Sequence, residues 1–128
     1  MFRNLQPLTE NRAKNISPVT LAFVGDAVYT LIVRQKLVEG HDLSTGSLQK
    51  LSSAEVSAHG QNALLERILP LLNEDELAVF KRGRNAKKPT RSKNATVAEY
   101  NNSTGLEALI GYLYLTDNHE RLEYLLEI

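Results

Sequence analysis

The chain has 128 residues, with no cysteine and no tryptophan, and its fifteen basic residues equal its fifteen acids. This length sets a single domain, 1–128, whose core rests on Leu, Ile, Val and Ala. The missing cysteines exclude disulfides, thiolate metal sites and cysteine catalysis, while the lack of a signal-like start or of an apolar run near the ~20 residues of a membrane span points to a soluble, cytoplasmic protein.

The first fifteen residues read as irregular. Ser17-Pro18 is a good helix start, because Ser can accept from a free backbone N–H and Pro fits the first turn. The apolar spacing of Leu21, Val24, Val28, Leu31 and Ile32 predicts a helix to about Val38, ended by Gly40. After a loop, 47–69 reads as one further helix, weakened at Gly60 and stopped by Pro70. Asn73 with Glu74, Asp75 and Glu76 predicts an N-capped helix to about Arg82. From 83 to 94 no periodicity remains, which predicts a basic loop. Thr96 with Glu99 looks like a capping box, opening a helix that carries Leu106, Leu109, Ile110 and Leu113. Asn118 is placed as the cap of a last helix. No stretch alternates as a strand does, so the predicted class is all-α.

Two lone acids stand out. Asp26 and Glu107 sit in apolar helical runs with no Lys or Arg at i±3 or i±4. An unpartnered carboxylate on such a helix costs free energy. A divalent cation would meet both, if their helices cross. Small neighbours favour a close crossing: Ala22 and Gly25 near one acid, Gly105, Ala108 and Gly111 near the other. The bland alternative is a polar stripe of Asp26, Thr30 and Arg34 facing water, with Ser103, Thr104 and Gly111 beside Glu107 doing likewise.

The neutral total hides an asymmetry. Residues 77–98 hold no acid and seven of the fifteen basic residues. Such a block is a footprint for a polyanion. Arg82, Arg84, Asn85, Lys87, Lys88, Arg91 and Lys93 are the candidate phosphate contacts, and Gly83 and Asn85 would let the backbone approach a phosphodiester. Without aromatics from Lys81 to Ala98, base stacking is disfavoured and duplex backbone is favoured. His41, His59 and His119 lack metal-ligand spacing.

Three motifs resemble the ribonuclease III family. Phe23-Val24-Gly25-Asp26-Ala27-Val28 looks like its signature helix. Leu106-Glu107-Ala108-Leu109-Ile110-Gly111-Tyr112-Leu113 looks like its second acidic motif. Lys81-Arg82-Gly83-Arg84-Asn85-Ala86-Lys87, with Tyr100-Asn101-Asn102-Ser103-Thr104, resembles the Mini-III branch, which consists of the catalytic domain alone. The resemblance implies an all-α homodimer that cuts double-stranded RNA with Mg²⁺, leaving 5′-phosphate ends. Asp26 and Glu107 match the catalytic metal ligands. The implied substrate is the precursor of large-subunit (23S) ribosomal RNA, with a ribosomal protein assisting. Ala22 and Thr104 stand where the wider family has acids, which points to one tightly held ion with Thr104 binding a water. A non-catalytic module that binds RNA or ribosomes is the rival reading.

Overall fold

The structure, a computed structural model, describes residues 5–88 and 96–128. Among these, every regular element is helical. They are α1 (Glu10–Lys14), α2 (Pro18–Gly40), α3 (Thr45–Val56), α4 (Ala58–Ile68), α5 (Glu74–Asn85), α6 (Val97–Leu115) and α7 (His119–Leu126), with a 3-10 turn at Leu69–Leu71. The all-α class expected from the sequence is the class observed.

Helix α6 is the axis of the fold. It is buried from Ser103 to Leu113 except at Glu107, which is partly exposed. A helix apolar on all sides needs neighbours on all sides, and α2, α4, α5, α7 and α1 supply them. Leu106, Leu109 and Ile110 are almost fully enclosed, together with Leu21, Ile68 and Leu125. Each such side chain contributes about 1.5–3 kcal/mol by leaving water. Ser103, Thr104 and Gly111 therefore do not form a solvated face, because α2 and α5 cover them.

Glycines set how near the helices come. A Cβ on Gly25 would run into the Glu107 carbonyl, and one on Gly111 into the Leu21 carbonyl. Residue 21 meets 111 and residue 25 meets 107, so α2 and α6 run antiparallel in backbone contact. On another side of α6, a Cβ on Gly83 would lie 2.9 Å from both Ala108 Cβ and Gly105 Cα, and one on Gly105 would lie 2.7 Å from the Phe80 carbonyl.

Helix ends follow local chemistry in most places. The expected capping box of Thr96 with Glu99 opens α6, and the expected N-cap Asn73 opens α5 and forms a capping box with Glu76 as well. Five readings are corrected. The opening segment is not wholly irregular, because Thr9 caps α1, whose Ala13 is fully buried. Ser17 makes no side-chain cap at α2. The run 47–69 is two helices. Ser57 breaks it by turning its hydroxyl to the Gly60 N–H (3.1 Å), and Gly60 has no Cβ to collide with the Ala54 and Glu55 carbonyls. Finally, α5 continues past Arg82 to Asn85, since Gly83 is a packing residue against α6 rather than a loop residue. At the start of α7, Asn118 turns its side chain back to Thr116 (2.6 Å) instead of capping forward.

Candidate active site

Asp26 follows Gly25 directly, and Glu107 carries the carbonyl that Gly25 touches. The α2–α6 contact therefore sets both acids at one edge of the crossing. Their side chains come close enough for Asp26 to act on the Glu107 carboxyl through both hydrogen bonding and charge. Asp26 is exposed and Glu107 half-buried. Burial first, and then the hydrogen bond and the charge of Asp26, together raise the Glu107 carboxyl to about 8 against the opposing effect of a Gln61 hydrogen bond. Two carboxylates this close strongly disfavour double ionisation without a cation.

No ion pair to Lys or Arg reaches either acid among the described residues. A second acid shows the contrast. Glu76 is also buried, which works against its charge, but Arg121 donates to it at 2.7 and 2.8 Å, and with the Asn73 backbone this holds its carboxyl below the ordinary glutamate range. Arg121 also donates to the Leu71 carbonyl at 2.6 Å. Glu76 is a satisfied structural acid. Asp26 and Glu107 lack such a partner, and their hard oxygens suit Mg²⁺, which takes one or two carboxylates and keeps several waters. Among the described residues, no group of three or more His, Asp, Glu or Cys side chains is arranged to hold a metal ion.

The surroundings are more polar than the motif suggests. Thr104 is buried and its hydroxyl donates to the Tyr100 carbonyl (3.1 Å), so only its acceptor capacity remains. Ala22 is buried. The site residue that sequence reasoning missed is Gln61 on α4. Its Nε2 lies 3.5 Å from Glu107 Oε2 and donates to the Val56 carbonyl at 2.9 Å. One signal was present: Gln61 shares the helical phase of Leu64, Leu65 and Ile68, where an apolar residue is expected. Neighbouring Asn62 donates to the Glu99 carbonyl and accepts from Asn102, both at 3.1 Å, which ties α4 along α6. His59, a residue with no sign of a ligand set, faces Glu99 at 3.1 Å.

The basic block divides. Arg82 donates to the Lys14 carbonyl (2.7 Å) and the Ile16 carbonyl (3.4 Å), holding the end of α1. Arg84 lies over the Phe80 ring and bonds Asn85 Oδ1 (3.1 Å). Lys88 donates to the Arg84 and Ala86 carbonyls, closing the end of α5, and burial lowers its ammonium. Lys87 and Asn85 are exposed. Arg91 and Lys93 lie outside the described residues. Gly83 does not bring backbone to a phosphate, because α6 covers it. Its contact with Thr104, Gly105 and Ala108 sets the basic end of α5 against the turn of α6 that carries Glu107.

Comparison with known proteins gives the family. The Ribonuclease III domain matches residues 19–118. The chain is 44% identical over 126 residues to Mini-ribonuclease 3 of Symbiobacterium thermophilum, covering 98% of this chain and 92% of that one. It is 42% identical over 127 residues to Mini-ribonuclease 3 of Thermoanaerobacter sp., covering 99% and 89%. The crystal structure of protein FN1578 from Fusobacterium nucleatum superposes with a TM-score of 0.82 at 32% identity, covering 88% of this chain and 92% of that one. With the antiparallel α2–α6 crossing and its paired acids, these matches establish that the chain belongs to the ribonuclease III family, as an endoribonuclease of the Mini-ribonuclease 3 group.

Proposed function

We propose that this endoribonuclease cuts double-stranded RNA at a divalent-cation site held by Asp26 and Glu107, with Mg²⁺ as the ion. One observation carries the reading: carboxyl groups from two helices far apart in sequence come together, and among the described residues no Lys or Arg pairs with either. When bound, the ion supplies Lewis acidity and neutralises charge that develops on the phosphate under attack. Asp26 and Glu107 bind it as carboxylates, so Glu107 gives up its proton on loading. Backbone contact at Gly25 and Gly111 keeps the two acids in register.

The basic end of α5 supplies the grip on phosphate. Arg84, Asn85, Lys87 and Lys88 lie at this end, Arg91 and Lys93 follow in the chain, and Arg82 contributes through whatever its bonds to the end of α1 leave free. These contacts read backbone and shape rather than base edges, which suits duplex RNA. The substrate we propose is the 23S ribosomal RNA precursor, presented with a ribosomal protein, in the cytoplasm. This part rests on the likeness to the Mini-III group. No described helix is long and apolar enough to cross a membrane.

The test is cleavage of duplex RNA with Mg²⁺ or with EDTA. Asp26→Asn is expected to abolish cleavage and leave RNA binding intact, and undiminished cleavage by that variant overturns the site. Lys87→Ala is expected to weaken RNA binding and lower the slope of log affinity against log salt by up to about one unit.

A further inference from the structure

Helix α4 brings to Glu107 one side chain that the reaction as described leaves unused. Gln61 is only 3% exposed, in a core phase where Leu or Met would pack without polar atoms to satisfy. Its amide has a definite orientation. Val56 O and Glu107 Oε2 are both acceptors, so the group facing them must be the NH₂. The oxygen, Oε1, is then buried and has no hydrogen-bond partner among the described residues. A buried acceptor left unpaired is rare and unfavourable.

The helix break serves the same arrangement. Where α3 ends, its last carbonyls lose their helical partners. Val56 O is one of them, and Gln61 Nε2 takes it. Without the turn at Ser57 and Gly60, Gln61 would not reach α6. A continuous helix would leave both the carbonyl and the carboxylate without this donor.

We propose that Gln61 is a positioning residue of the active site. Its Nε2 holds the Glu107 carboxylate turned toward Asp26, and its Oε1 accepts a hydrogen bond from a water in the shell of the cation that the two acids share. The inference rests on reading Asp26 and Glu107 as a cation site. A hydrated Mg²⁺ offers water protons that need acceptors. A neutral amide oxygen, bonded to the same carbon as the nitrogen that meets Glu107, provides one within reach of that shell without adding a third negative charge. Partners of this kind orient the ligands that touch the metal.

The experiment measures Mn²⁺ binding by electron paramagnetic resonance on the RNA-free chain, alongside the Mg²⁺ dependence of duplex cleavage. Gln61→Met keeps the shape and removes both polar atoms. It is expected to weaken Mn²⁺ binding and raise the Mg²⁺ requirement by about 10–100-fold, with KM for RNA unchanged at saturating Mg²⁺. A residue that merely joins α4 to α6 would lower thermal stability and leave Mn²⁺ affinity within twofold of wild type, and that result overturns the proposal. Should the Met variant fail to fold, Gln61→Glu decides. A third carboxylate at the site is expected to enlarge the thermal stabilisation by Mn²⁺, and a shift no larger than that of wild type overturns the inference. Wild-type protein whose Mn²⁺ binding is indifferent to Glu107→Gln would overturn the cation site itself, and this inference with it. Normal wild-type binding with an unaffected Gln61→Met overturns this inference alone.

Discussion

Glu107 keeps its proton to a higher pH than a free glutamate does, chiefly through burial and then through Asp26 on α2, with Gln61 on α4 opposing them. Its folded pKa of about 8 lies above the unfolded value, so the folded state binds a proton that the unfolded chain releases. The stability of the cation-free protein is therefore fully present below the ordinary glutamate range and declines as pH rises through it toward about 8. Glu107→Gln is expected to remove most of that decline. It should stabilise the cation-free protein at pH 8 by on the order of 2–4 kcal/mol while abolishing cleavage. Urea unfolding from pH 5 to pH 9 checks this, and a flat wild-type profile would contradict it. Both acids were legible in the sequence as unpartnered charges on apolar helices. Gln61 was legible only as a polar residue in an apolar phase, because its role depends on a carbonyl of the preceding helix and a carboxylate of α6.

Helix pairing turns on glycines that local propensity alone would replace. Ala favours a helix over Gly by about 1 kcal/mol, and Gly40, with nothing within 4 Å of a Cβ, should show this. Gly40→Ala is expected to stabilise by about 0.4–1 kcal/mol. Gly111→Ala is expected to have the opposite sign, costing about 1–3 kcal/mol or more, because its Cβ would strike the Leu21 carbonyl and force α2 away from α6. Chemical denaturation of the two variants side by side measures the difference. The N-cap at Asn73 and the capping box at Thr96 were readable because every group involved lies within four residues. The break at Ser57 was not, since its hydroxyl succeeds only where Gly60 admits close backbone. Gly83 resembled a loop residue because its neighbour in space is α6, twenty-odd positions along the chain.

At the scale of the whole molecule, α2 turns an apolar stripe outward. Phe23 is 80% exposed, Leu31 51% and Val38 64%, with Ala27 between them on one arc beside Asp26. Such a stripe next to an active site is unusual for a monomer, and we propose that a second copy of the chain covers it. Phe23→Asp is expected to give a folded monomer by sedimentation at micromolar concentration, because Phe23 makes little contact within its own chain. Wild-type protein sedimenting as a monomer would contradict the proposal.

The sequence by itself determined the helical class, most helix starts, the two lone acids and the family resemblance, because periodicity, caps and motif spacing are local properties of the chain. Only the tertiary structure decided that the acids meet, that Gln61 joins them, and that Arg82 and Lys88 are partly engaged in closing helix ends. Those outcomes depend on backbones crossing at glycines far apart in sequence, where the space left beside a missing Cβ, rather than any local preference, sets which side chains come together.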